Sequence, residues 1–197
     1  KTDPDATFMR MKEDAMLNGQ LKPAYNLQHG VDSEYIVWLD ISQRPTDTRT
    51  LIPFLKKIEA GLGFKYTNIV ADAGYESEEN YVFIENNDQT GYIKPQNYEL
   101  SKTRKFKNDI SKRENMDYDS ETNSYTCKNG KQLASVAKKI QKTVTGYQRE
   151  VTIYECESCR GCPYKKDCIK GNNCKTPFED RNKKLSVSRK MEEKRAE

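Results

Sequence analysis

Two groups of residues in this sequence have the types and spacing to do chemistry. The first centres on Asp72, in the run Asn68-Ile69-Val70-Ala71-Asp72-Ala73-Gly74-Tyr75-Glu76-Ser77-Glu78-Glu79. Residues 68–71 read as a short buried strand that Asp72 closes. Gly74 permits a sharp turn, and Ser77-Glu78-Glu79 opens a helix with an N-cap and an acidic first turn. Asp72 therefore stands at the carboxyl end of a strand, the edge at which open α/β sheets bind ligands. Asp and Gly are also the commonest turn residues, so a purely structural role stays open at this point.

The second group is cysteine-rich. Cys156, Cys159, Cys162 and Cys168 form C-x2-C-x2-C-x5-C, with Cys127 and Cys174 to either side. Cysteines two residues apart in a turn can present both sulfurs to one tetrahedral ion, and four thiolates saturate a structural zinc. An iron-sulfur cluster is the alternative metal, although Pro163 follows the third cysteine where the ferredoxin proline follows the fourth. A set of reduced thiols without metal is the remaining reading. Lys165, Lys166 and Lys170 beside the cluster favour thiolates and could touch phosphate. A closed four-cysteine site leaves no position for a substrate, so its role would be structural.

These groups need elements to position them. The chain has 197 residues, 35% hydrophobic and 32% charged, which suits one core plus an appendage better than a single core filling the whole length. Its charge is uneven: residues 1–93 carry 9 Lys and Arg against 15 Asp and Glu, whereas residues 94–197 carry 25 against 15. A basic half suits a polyanionic partner, and equally a soluble Lys-rich surface. No apolar run approaches the length of a membrane span, and the first residues lack the layout of a secretion signal, so a cytoplasmic protein without a membrane partner is expected.

Residues 1–20 form a polar lead-in with a weak helical pattern in Phe8, Met9, Met11, Met16 and Leu17. Residues 24–31 alternate in the manner of a strand and, after a polar turn at Asp32-Ser33-Glu34, residues 35–41 form a β-branched and aromatic run that suits a central strand, so a two-strand hairpin is expected. Thr46 or Asp47 can cap a helix whose apolar face is Leu51, Ile52, Phe54, Leu55, Ile58 and Leu62, and Pro53 moves its start later than Asp47 or kinks it. The strand into Asp72, a helix over residues 77–85 and a strand over residues 91–95 follow. Residues 97–118 are polar with little periodicity and read as a loosely packed excursion. Short strands around Tyr118, Tyr125 and residues 142–153 lead into the cysteines. His29, the one histidine, reads as a surface or core residue. Asn26 and Gln28 share one strand face, where structural hydrogen bonding is the first reading and orienting metal ligands or DNA the second. Tyr25, Tyr75, Tyr81 and Trp38 read as core, with Tyr75 also placed to stack on a base.

With these residues in place, the chain resembles the DDE transposases of bacterial insertion sequences. The resemblance rests on Thr2-Asp3-Pro4-Asp5-Ala6, Tyr25-Asn26-Leu27-Gln28, Ala71-Asp72-Ala73-Gly74-Tyr75-Glu76-Ser77, and the cysteine cluster ahead of a basic tail. It implies an α/β fold: a partial ribonuclease H-like mixed sheet with helices over residues 21–96, and a basic, zinc-binding cysteine insertion over residues 97–175. Residues 176–197 would then begin a basic helical region. It further implies DNA cleavage and strand transfer by two-metal phosphoryl transfer with Mg²⁺ or Mn²⁺, DNA as partner, and a homo-oligomer.

Asp72 matches the second of that family's three metal-binding carboxylates. The resemblance puts the first before Lys1 and the third, a Glu, after Glu197. Glu192 and Glu193 lie in a polar run without the apolar face needed to pack on a sheet. The chain accordingly reads as an internal part of a transposase that is inactive alone. The alternative is a non-catalytic zinc-knuckle module that binds nucleic acid.

Overall fold

Alternating apolar and polar residues, Gly and Asn turns and one amphipathic helix produce two compact units, residues Lys1–Gln96 and Asn97–Glu197, in the computed structural model. Residues 3–10, 19–171 and 174–196 are described. Strands and helices are mixed throughout, and among the described residues no helix is long and apolar enough to cross a membrane.

In the first unit, β1 (Thr7–Arg10) pairs antiparallel with β2 (Leu21–Ala24). Phe8 and Met9 thus lie in a strand and not in the helix their spacing suggests. With four residues of pattern, cross-strand pairing overrides a weak helical period. Met11, Met16 and Leu17 lie outside the described residues. The hairpin of β3 (Asn26–Asp32) and β4 (Tyr35–Ser42) closes through Ser33 and Glu34, both at positive φ, the geometry of a tight two-residue turn. β5 (Asn68–Ala71) and β6 (Thr90–Ile93) pair in parallel, linked by the crossover helix α2 (Glu78–Asn86).

Between the hairpin and β5 runs α1 (Leu51–Leu62), with Pro53 in its first turn, where a missing N–H costs nothing, and Gly63 closing it in the left-handed conformation. It starts after a separate 3₁₀ turn, Asp47–Arg49, so the helix does begin later than Asp47. Leu51, Phe54 and Ile58 are buried. A methyl group on Gly30 of β3 would lie 3.3 Å from Ile58 Cδ1 and 3.4 Å from Phe54 Cζ, which shows how closely α1 lies on the hairpin.

The single mixed sheet expected over residues 21–96 is not formed among the described residues. The strands make three separate hydrogen-bonded pairs. The physical reason is that α1 joins them through side chains instead of a strand ladder, meeting Gly30 and Trp38 on the hairpin while Leu55 and Ile58 line a small cavity with Ile69 of β5.

The second unit is organised by a five-stranded antiparallel sheet. Short helices α3 (Tyr98–Ser101) and α4 (Arg104–Lys107) precede β7 (Asp117–Asp119), β8 (Ser124–Thr126), β9 (Gln132–Lys142) and β10 (Gln148–Cys156). After α5 (Lys165–Cys168), β11 (Lys184–Val187) returns to the sheet beside β10, giving the order β11-β10-β9-β8-β7. Helix α6 (Arg189–Ala196) closes the unit.

Residues 97–118 are therefore not a loose excursion. Phe106 and Met116 are buried, and Met116 joins Tyr125, Leu133, Tyr154 and Val187 in the core. Two well-spaced apolar anchors suffice to dock a polar segment whose periodicity is too weak to read. Residues 176–197 are likewise more than a helical tail, since they supply an edge strand. Glu192 pairs with Arg113 and Arg189, which makes it a structural partner within this unit.

Candidate active site

Asp72 follows β5 directly and starts the 3₁₀ turn Ala73–Tyr75, with its Oδ1 accepting from Gly74 N at 2.7 Å. Ser77 then caps α2, its hydroxyl accepting from Asn80 N at 3.2 Å. The side chain of Asp72 is exposed at the strand tip.

A second carboxylate, read from the sequence only as a helix cap, lies beside it. Asp47 Oδ1 accepts from Asn26 Nδ2 at 2.6 Å and from Gln28 Nε2 at 3.3 Å. Its other oxygen faces the Asp72 turn: a methyl group on Gly74 would lie 2.7 Å from Asp47 Oδ2 and 3.0 Å from Asp72 Oδ1. The two acidic groups thus meet over one glycine.

Two buried amides hold them there. Gln28, 3% exposed, donates to Asn26 Oδ1 at 2.7 Å as well as to Asp47. Its Oε1 accepts from Thr50 Oγ1 at 3.0 Å and from the Tyr75 hydroxyl. Every hydrogen-bonding position of a primary amide is close to saturated by this set, so the side chain has one orientation. Asn80, 1% exposed, donates from Nδ2 to Thr48 O at 3.1 Å and to Tyr75 O at 2.7 Å. It clamps the turn that starts with Asp47 to the turn that follows Asp72. The nearest sequence signal was that Asn26 and Gln28 lie on the same side of one strand, which puts two amides together but names no acceptor.

Tyr75 is turned inward, its hydroxyl on Gln28. A ring fixed in this way is not offered for stacking on a base. Burial, and then the Asp47 and Asp72 carboxylates, push the Tyr75 phenol up to about 12. Because the folded value lies above the unfolded value of about 10, the stabilisation it reports is complete below pH 10 and is lost as pH rises through 12. Urea unfolding midpoints compared at pH 8 and pH 11 should fall more steeply for the parent protein than for Tyr75→Phe.

Gly74→Ala tests the convergence of the two acids. The new methyl meets only the ends of two side chains and the backbone there is not at positive φ, so the unfolding midpoint should move little. The two carboxylate ends must shift to admit the methyl, so a divalent-ion affinity that rests on both should fall about tenfold or more in titration calorimetry.

The other residues singled out from the sequence are placed as follows. His29 is exposed. Tyr25 is exposed too, its hydroxyl donating to Asp3 Oδ2 at 2.9 Å, and is not core. Lys165 is buried, with its ammonium donating to Glu179 O at 2.6 Å beneath the Phe178 ring, which removes it from any phosphate-binding surface. Desolvating an ammonium needs such a partner, and the carbonyl supplies it. Lys170 pairs with Asp109 at 2.9 Å, and Lys166 is exposed.

The cysteines converge more widely than their spacing indicates. Cys127, Cys156, Cys159, Cys162 and Cys168 all line one small cavity of about 20 Å³. Cys174 is exposed and lies outside it. Among the described residues, however, no three or more His, Cys, Asp or Glu side chains stand in a geometry that could hold a metal ion. The four-cysteine tetrahedron expected from the sequence is therefore not preformed among the described residues.

Comparison with known proteins supplies one match. The family model described as "Transposase DDE domain" matches residues 2–186. No curated protein and no solved structure matches the chain. A match spanning both the Asp72 turn and the cysteine cluster covers nearly the whole sequence, and the chain belongs to the transposase DDE-domain family.

Proposed function

We propose that this chain carries part of the catalytic apparatus of a DDE transposase, which cleaves DNA at the ends of an insertion sequence and transfers the strands to a target. The observation that carries this reading is the meeting of Asp72 and Asp47 over Gly74 in a chain that matches the family along nearly its whole length. Two carboxylates at one point are hard oxygen donors that fit Mg²⁺ or Mn²⁺, and Asp72 and Asp47 are the residues that would hold the ion. A divalent ion there supplies Lewis-acid stabilisation for in-line displacement at a phosphodiester.

The chain's own residues orient the site. Gln28 and Asn26 occupy Oδ1 of Asp47 and leave Oδ2 towards Asp72. Asn80 fixes the distance between the two turns, and Tyr75, neutral over the physiological range, adds no competing charge. A groove of about 710 Å³ has Thr50 in its wall and carries Arg44, Arg49 and Lys57 together with Asp5 and Asp40; Arg44 and Arg49 are its candidates for contact with a phosphate backbone. In the second unit the exposed Lys166 is the remaining candidate of its group for contact with DNA. Zinc on Cys156, Cys159, Cys162 and Cys168 would serve folding, since a thiolate set without an open position does no hydrolysis.

The test is Mg²⁺- or Mn²⁺-dependent cleavage of DNA carrying the element's ends, by protein expressed from the native gene. Metal-dependent nicking at those ends supports the reading. DNA binding without metal-dependent cleavage replaces it with the non-catalytic binding module.

A further inference from the structure

We infer that Cys127 is a ligand of the zinc centre, together with thiols of the 156–168 segment. The inference rests on the zinc reading above and adds a residue that the cysteine spacing does not include, 29 positions before the first member of the cluster.

Sheet register brings it there. β8 pairs antiparallel with β9 through Thr126 and Gln132, so Cys127 sits in the turn at that end of the sheet. β10 pairs antiparallel with β9 through Cys156 and Leu133, so the end of β10 lies at the same edge. The turn itself is tight: Gly130 N donates to Cys127 O at 2.8 Å, Cys127 N donates to Lys131 O at 2.9 Å, and Gly130 takes the left-handed conformation. Lys131 Nζ then reaches Ser158 O at 2.7 Å and ties the turn to the cysteine loop.

The backbone N–H of Lys183 donates to Cys159 Sγ at 3.3 Å, the kind of bond that steadies a metal-bound sulfur. The Lys183 ammonium is partly buried and donates to Ser111 O and Cys168 O, so a positive charge lies next to the thiols. Five sulfurs with no imidazole or carboxylate among them select a thiophilic ion, of which zinc is the commonest structural choice.

The experiment uses the whole reduced chain. Zinc content is measured by atomic absorption, affinity by competition with a chromophoric chelator, and ligand type by the sulfur-to-metal charge-transfer bands of the Co²⁺ form. The parent protein and Cys174→Ser should each hold one ion with equal affinity. Cys127→Ser should lose about 100-fold or more in affinity, together with charge-transfer intensity. Cys127→His, which restores a donor, should recover binding and thereby exclude simple misfolding. Unchanged affinity and spectrum in Cys127→Ser would overturn the inference and leave the four-cysteine set standing. A parent protein that takes up no zinc, or that is isolated brown with iron, overturns the zinc reading and this inference with it.

Discussion

In protein expressed from the native gene, Asp72→Asn should leave the fold intact and reduce the proposed metal-dependent DNA cleavage by about 10²-fold or more. The substitution is nearly isosteric, and an amide oxygen can still accept the Gly74 N–H that Oδ1 accepts at 2.7 Å, so the turn keeps its bond. An exposed side chain at a strand tip contributes little packing, and the stability change should stay within about 0.5 kcal/mol. What the substitution removes is one of two negative charges directed at a common point. The loss should appear as a rightward shift in the Mg²⁺ or Mn²⁺ dependence, partly recovered at high metal, with DNA binding at low metal unaltered. Cleavage that proceeds equally well in Asp72→Asn would sink the metal-ligand assignment.

Gln28→Leu should have the second large effect, and of a different kind. Gln28 is buried and serves Asn26, Asp47, Thr50 and Tyr75 at once. A leucine fills the space but leaves several polar groups without this partner in a place that water reaches poorly. Unsatisfied buried groups cost about 1–3 kcal/mol, so the urea midpoint of the first unit should fall accordingly. Cleavage should fall as well, because Asp47 loses one of the two donors that aim it. Asp72→Asn and Gln28→Leu are thus separated by their readouts, the first acting on metal dependence alone and the second on stability and metal dependence together. An unchanged midpoint in Gln28→Leu would mean that the network does not hold the site.

How far these features were legible in the sequence differs by element. The strand ending at Asp72, the Ser77 cap, the β3–β4 hairpin and the buried face of α1 were all readable, because each follows from local pattern: alternation, a capping residue, a turn pair or a 3.6-residue period. The lead-in strand was misread, since four residues carry too little periodicity to separate strand from helix. The packed segment 97–118 was misread because its two buried anchors, Phe106 and Met116, are too far apart to make a pattern.

The sequence by itself determined the chemistry available to this protein. It supplied an acid at a strand tip, two amides on one strand face, a thiol cluster of known spacing and a basic second half. Those are properties of residue type and near neighbours. Only the tertiary structure decided which of them meet. Asp47 is 25 residues from Asp72 in the chain, and the packing of α1 and the clamp by Asn80 bring it to the same glycine. Cys127 joins the thiols through strand register, and Lys165 is withdrawn from the surface by a carbonyl fourteen residues away. The physical reason is common to all three. Local sequence sets the conformation of each short segment, whereas contacts between segments are set by burial and by pairing of buried polar groups, and these depend on the whole chain at once.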